Sequence, residues 1–568
     1  MSTSRAETIL QTSAQRTGAA AVSGPWLVGL MLLGVALVVG IATAADYGFT
    51  VDEFNTNDYG PKALAWYTSG FTDSSHFYTV EPWLWAYGPW FQILIAMVQS
   101  LDRFDPITVR HAMTFTVGLV GLAALLPLAR ETVGRWAGPV ALLLCLITGN
   151  LYGSLFFAPI DVPFMAAMTW ATLSLVNMAR HTVPTWTATL IAGLATGLAI
   201  ATRTGGIITH AYLLGAMTLC ALEVIARGGP LAWRQLTQIA LRTLGVVIVA
   251  WLVAYALWPY LQVGNPFTQF AIAYEHFRTI GLSFSFMHWG EPISTTDLPS
   301  SYVPAQYLAR LPEIFLVLLA AGAVIGIWRA AAFVQTASAL AHRFGALGLR
   351  VSAVQIAQQR GTLIIVAAAL APIAFVILQG STMYDGVRHL MFVVPMLALL
   401  AGGACIRMLQ WLSVSRTATL AVSALALAAA GLNVQTLAAL HPLQYVAMNS
   451  LAGGVAGAQG RFELDYLSAA ATEALRRLEQ RLATDPSGRF TTQPARLLVC
   501  IPYRETMMEP LYRRHWVLET DPRKADFIIE TERSACGNNT LGMALIDQVG
   551  RLGATFAWTY AHDRGRTD

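Results

Sequence analysis

The sequence predicts a mainly α, polytopic membrane protein of about eleven transmembrane helices, with a small C-terminal α/β domain outside the membrane. Three observations lead there. Only 12% of the residues are charged, against roughly 25% in soluble domains, while 55% are hydrophobic and the mean hydropathy is +0.53. Apolar stretches of helix length recur through most of the chain. Beyond Asn433 the charge rises and the long apolar runs stop, which marks a change of solvent.

The first run, Trp26 to Ala45, carries no charge and is long enough to cross about 30 Å of hydrocarbon. Its length and the extended polar leader before it argue against a cleaved signal peptide, so it reads as a retained span behind a cytoplasmic tail, residues 1–25. Further runs lie near His111 to Leu128, Val140 to Phe157, Phe164 to Met178, Leu190 to Ala201 and Ile207 to Ile225. The remainder are near Leu244 to Trp258, Ile314 to Trp328, Leu363 to Leu378, Leu390 to Ile406 and Ala418 to Leu432. Trp90 to Val98, flanked by Trp83 and Trp85, is too short to cross and reads as an interfacial helix within an outer loop, residues 46–110.

Arginines concentrate in the loops that are cytoplasmic if the N-terminus is inside, among them Arg130, Arg180, Arg227, Arg329, Arg343 and Arg360. An odd number of spans then puts residues 434–568 outside the cell. In that segment Asp465 to Leu482 has helical periodicity, while Arg496 to Ile501, Trp516 to Glu519 and Asp526 to Thr531 read as strands. Ala544 to Tyr560 reads as a hairpin about Gly550 to Gly553. The membrane domain thus occupies residues 26–433.

Several function classes drop out. A net charge of +4 gives no basic field for nucleic acid. There is no P-loop, no GxGxxG after a strand and no GxSxG. Five cysteines are too few for a disulfide framework, and only Cys500 and Cys536 lie where a pair is feasible.

With this orientation the unusual polar clusters fall on the outer side. Asp52 and Glu53 (VDEFNTNDYG) follow the first span, and Asp161 (FFAPIDVPF) follows the third. Arg203 (ATRTGG) follows the fifth, and Tyr384, Asp385, Arg388 and His389 (MYDGVRHLMF) separate the ninth from the tenth. Each alone has a bland reading as a solvated loop charge, a snorkelling anchor or an aromatic-belt residue. Together, ionisable groups sharing one depth mark a functional site.

The set suits transfer of a sugar carried on a lipid phosphate. A carboxylate, Asp52 or Glu53, would take the acceptor's proton, and Arg388 or Arg203 would hold the departing phosphate through the bidentate guanidinium fork. Asp161 would grip the acceptor opposite Asp52. For a divalent cation, Asp52, Glu53, Asp161, His76, His389 and His441 offer ligands, but without HxxxH or clustered spacing, so no metal site is assigned.

The acidic pair after the first span and FFAPIDVPF after the third resemble the GT-C membrane glycosyltransferases, in the branch of protein O-mannosyltransferases and aminoarabinose transferases. MYDGVRHLMFVVP and HPLQYVAMNSLAGGVAGAQGRFELDY are similar to signatures of bacterial members, the family 39 glycosyltransferases. This chain reads Ala158-Pro159-Ile160-Asp161 where many relatives carry Asn-Pro-Lys-Asp. The resemblance implies a polyprenyl-phosphate sugar donor, a glycan, lipid or protein acceptor, inverting transfer, and a site on the outer face of a bacterial inner membrane. It also implies Asp52 as catalytic base, Glu53 as its partner, Asp161 as the second acid, and a lipid-phosphate role for Arg388 and His389. Tyr445, Asn449 and Asp465 would line an acceptor entrance, unless their stretch merely joins membrane part to outer domain.

Two readings from other classes compete: a transporter, and a non-catalytic lipid-binding assembly subunit. Transporters place charges near the midplane of broken helices and often carry inverted repeats. Here the charges sit at span ends and no repeat is evident.

Overall fold

The computed structural model describes residues 24–79, 81–279, 283–484, 494–501, 508, 511–533, 540 and 542–562. Most of the expected N-terminal tail, and Cys536, lie outside these residues. Cys500 is disulfide-bonded, while Cys145, Cys220 and Cys405 are free.

The chain is a multi-pass helical membrane protein. Among the described residues eight helices are long and apolar enough to cross a membrane. They are Gly24–Thr43, Pro106–Glu131, Thr204–Arg227, Ala232–Leu257, Glu313–Phe344, Arg360–Gln379, Arg388–Leu412 and Arg416–Leu440. A ninth forms if Ala137–Ile147 and Gly149–Phe157, bent by 74° at Thr148, count as one span.

The two remaining expected runs are also helices, Asp161–Met178 and Trp186–Ile200, but they fail that test for different reasons. Asp161–Met178 is buried along nearly its whole length, so it meets protein rather than lipid and tolerates Asp161, Thr169, Thr172 and Ser174. Trp186–Ile200 is simply short, at 15 residues. The segment after Trp328, whose arginines are expected in a cytoplasmic loop, continues the helix to Phe344 and adds Ala346–Gln358.

Thr50, after the first span, starts a second helix, Val51–Thr68, through a capping box with Glu53. The expected interfacial segment forms the helix Trp90–Gln99, packed on Val51–Thr68 where a Cβ on Gly60 would stand 2.6 Å from the Gln92 carbonyl oxygen. Arg110 ties these helices to the next span. Only 1% exposed, it donates to Gln92 Oε1 at 2.9 Å and to Thr56 Oγ1 and Asn57 Oδ1, each at 3.2 Å.

After the last long helix, residues 441–466 run back across the bundle end. Asn150 donates to the Tyr445 carbonyl at 2.9 Å, and Asn449 donates to the Leu308 and Leu311 carbonyls at 2.6 and 2.8 Å. The C-terminal domain packs the amphipathic helix Ala470–Ala483 on a five-stranded sheet. Its strands are β3 Ala495–Cys500, β4 Trp516–Leu518, β5 Phe527–Thr531, β6 Ala544–Arg551 and β7 Ala554–Ala561, in the order β4-β3-β5-β7-β6. β3 runs parallel to β4 and β5, and β7 is antiparallel to β5 and β6. An unexpected hairpin, β1 Ser285–His288 and β2 Glu291–Ser294, lies against the start of this domain through a bridge from His288 to Phe462.

One close approach sets up the site. The Gly88 N–H donates to the Thr202 carbonyl at 3.2 Å, and a Cβ on Gly88 would lie 1.6 Å from the Ala201 carbonyl oxygen. Because the obstacle is backbone, it cannot swing aside. Gly88→Ala should therefore cost about 1–3 kcal/mol, read as a lower melting temperature in detergent, whereas Gly34→Ala, with open space around it, should leave melting unchanged.

Candidate functional site

Four turns at one end of the helical bundle converge on a cavity of about 480 Å³. Asp52 stands in the first turn of Val51–Thr68, and Asp161 is the first residue of its helix, so both carboxylates sit at positive helix ends. Arg203 occupies the turn between Trp186–Ile200 and the span beginning at Thr204. Tyr384, Asp385 and Arg388 come from the turn after Arg360–Gln379. All six line the cavity.

Arg388 is the hub. Its Nη1 lies 3.0 Å from Asp52 Oδ2 and 3.1 Å from Asp385 Oδ2, and its Nε lies 3.4 Å from Asp161 Oδ2. Arg203 Nη1 approaches the other oxygen of Asp161 at 2.7 Å. Carboxylate and guanidinium thus alternate from Asp52 through Arg388 and Asp161 to Arg203. Asp385 has a left-handed backbone, φ 58°, followed by Gly386 at 68°, and this turn aims the aspartate at Arg388. Burial pushes the Asp52 carboxyl up to about 6; Arg388 pulls the other way, while Asp161 and Asp385 add to the rise. A carboxyl so tuned is a better proton acceptor near neutral pH than an ordinary aspartate.

Four expected residues stand behind the cavity wall. Glu53 is fully buried: Oε2 accepts from the Thr50 N–H at 3.0 Å, and Oε1 faces His111 Nε2 at 3.0 Å. His111 Nδ1 is 2.9 Å from the Ala44 carbonyl, to which it donates. His389 meets Tyr384 edge to face, with centroids 4.6 Å apart. Tyr445 is buried with its hydroxyl on Asp465, and Asn449 is spent on the backbone joint described above.

Other wall residues were not anticipated. Trp83, Tyr87, Phe284 and Tyr466 supply aromatic surface, Asn55 supplies an amide, and Glu463 and Arg533 bring charge from the C-terminal domain. Arg533 Nη2 binds Asp385 Oδ1 at 2.6 Å, and its Nε binds Glu463 Oε1 at 2.9 Å. Glu463 could have been suspected from its place in RFELDY. Nothing local marks Arg533, one arginine among several in a soluble segment.

Among the described residues no three His, Cys, Asp or Glu side chains gather as a metal cage. His76 is fully buried beside Trp66, and His441 pairs with Asp46 at 3.0 Å. Neither lines the cavity.

No family model and no curated protein matches the chain. Among solved structures it is similar to ArnT from Cupriavidus metallidurans bound to undecaprenyl phosphate, at 13% identity over 94% of this chain and 98% of that one, with a TM-score of 0.47. The apo state of the same ArnT gives 14% identity over 94% and 97%, with a TM-score of 0.44. Archaeal oligosaccharyltransferase AglB from Archaeoglobus fulgidus, in complex with an inhibitory peptide and a dolichol-phosphate, gives 12% identity over 89% of this chain and 69% of that one, with a TM-score of 0.41.

Since Glu53 caps a helix and faces His111 in a buried setting, Glu53→Gln should lower stability by about 1–3 kcal/mol. Thermal unfolding of the solubilised protein measures this.

Proposed function

We propose that the chain is a GT-C type glycosyltransferase that moves a sugar, with inversion, from a polyprenyl-phosphate donor to a glycan, lipid or protein acceptor at the outer face of a bacterial inner membrane. One observation carries this reading: Asp52, Arg388, Asp161 and Arg203 alternate in charge around a single cavity at the bundle end. A site meant only to hold a lipid phosphate needs cations and gains nothing from a carboxylate of raised pKa beside them. Transfer needs both.

The chemistry follows from that pairing. The donor phosphate competes with Asp52 for Arg388, and Arg203 meets it from beyond Asp161. As Arg388 turns to the phosphate, Asp52 loses its cation and becomes more basic. Asp52 then takes the proton of the acceptor hydroxyl as that oxygen attacks the anomeric carbon. The bond from that carbon to the phosphate oxygen breaks on the opposite face, its electron pair leaving with the polyprenyl phosphate. A single displacement of this kind inverts the anomeric centre. The two arginines stabilise charge that grows on the leaving oxygen, which is where electrostatic catalysis acts.

Asp161 holds both arginines in register. Glu53 acts from behind, fixing the turn that carries Asp52. Tyr384 and Asp385 shape the wall around Arg388, while His389, Tyr445 and Asn449 brace it. The donor's phosphate is anchored in the leaflet, so a base at this depth meets both substrates.

Asp52→Asn should leave the fold and polyprenyl-phosphate binding intact and cut sugar transfer by at least ~10²-fold. A transporter or assembly subunit would tolerate it. With the Asp52 carboxyl raised to about 6, the base is ionised only above that pH. The kcat/KM of the wild type should therefore climb as pH rises through about 6 and fall away below it; a flat profile from pH 5 to 8 would count against Asp52 as the base.

A further inference from the structure

We infer that Arg533, acting through Asp385, is a positioning residue by which the outer α/β domain sets the phosphate grip of Arg388. The identity of the anion rests on the glycosyltransferase reading above; the coupling rests on geometry alone.

Arg533 follows the end of β5 and enters the cavity wall 19% exposed. Its guanidinium is almost fully engaged. Nε donates to Glu463 Oε1 at 2.9 Å, and Nη2 donates to Glu463 Oε2 at 3.1 Å and to Asp385 Oδ1 at 2.6 Å. Nη1 donates to the Tyr466 carbonyl at 3.2 Å, and the group lies 4.8 Å from the centre of the Phe284 ring. With two carboxylates already on it, Arg533 has little left for a substrate anion. Its effect passes to the next residue.

That residue is Asp385, 2% exposed, which divides its oxygens between two arginines. Oδ1 goes to Arg533 and Oδ2 goes to Arg388 Nη1 at 3.1 Å, the same nitrogen that Asp52 holds at 3.0 Å. A buried carboxylate that loses one cation draws harder on the other. Its backbone cannot yield instead. The left-handed turn is held by the Tyr302 hydroxyl on the Gly386 carbonyl at 3.3 Å, and a Cβ at Gly386 would lie 2.7 Å from Arg310 Nε. Without Arg533, Asp385 would take a larger share of Arg388 and the cavity would lose a positive charge. Both changes weaken the grip on a phosphate.

The test uses the full chain in nanodiscs, with undecaprenyl phosphate as the probe. Arg533→Gln should raise its Kd on the order of tenfold at an unchanged melting temperature. Arg533→Lys, which restores charge but not the fork, should recover part of the loss. Arg523→Gln, at a side chain 89% exposed on the same domain, should change nothing and so separates position from net charge. Independently of any ligand, hydrogen exchange over residues 383–390 should quicken in Arg533→Gln while β3, β5 and β7 stay protected.

Wild-type affinity in Arg533→Gln, or unchanged exchange over 383–390, overturns the inference. So does loss of protection throughout the outer domain without rescue by lysine, which would make Arg533 a domain anchor. If the wild type itself fails to bind the probe, the donor assignment falls, and the exchange result still decides the positioning role.

Discussion

The site depends on one guanidinium, that of Arg388, held by three carboxylates from three separate parts of the chain. At 10% side-chain exposure its desolvation is costly and is offset only because Asp52, Asp161 and Asp385 surround it. The three acids lean on it in turn, although Asp161 also has Arg203 and Asp385 also has Arg533. This mutual requirement draws together the starts of Val51–Thr68 and Asp161–Met178 and the turn before Val394–Leu412. The fork of arginine donates to carboxylate and phosphate alike.

A second layer keeps these groups in place. The helix bearing Asp52 is fixed at its N-terminus by Glu53, which is backed by His111 and through it by the end of the first span at Ala44. The turn bearing Asp385 rests on Arg310, which donates to Gln306 Oε1 and to the Glu463 carbonyl, each at 3.0 Å. Beyond it Asp465 receives the N–H groups of Ala469 and Ala470 and the Tyr445 hydroxyl, tying the helix of the C-terminal domain to the stretch that crosses the bundle end. The charged groups of the cavity are therefore set by buried polar contacts.

Much of this was legible beforehand. Each of the eleven apolar runs is helical, though Val51–Thr68 and Ala346–Gln358 were not read from hydropathy, and alternation with turn residues located the strands of the C-terminal sheet. The convergence of Asp52, Asp161, Arg203, Asp385 and Arg388 followed from putting the span ends on one side. Side-chain direction was not legible. Asp52 and Glu53 are neighbours in sequence, yet adjacent residues on a helix face different ways, so one lines the cavity and the other caps the turn. Arg110 and Arg310 carry no sequence mark of burial, yet both are buried. Arg533 was invisible because its role comes from a long-range fold contact rather than a local pattern.

The short helix Trp186–Ile200 ends at the turn that carries Arg203. Fifteen residues reach only about 22 Å along a helix axis, well under a hydrocarbon thickness of about 30 Å. Its exposed side, with Leu190, Ile191 and Leu194, offers lipid an apolar band shorter than that thickness, a mismatch that bilayers meet by local thinning or by snorkelling of flanking residues. That mismatch sits directly beside the Arg203 turn.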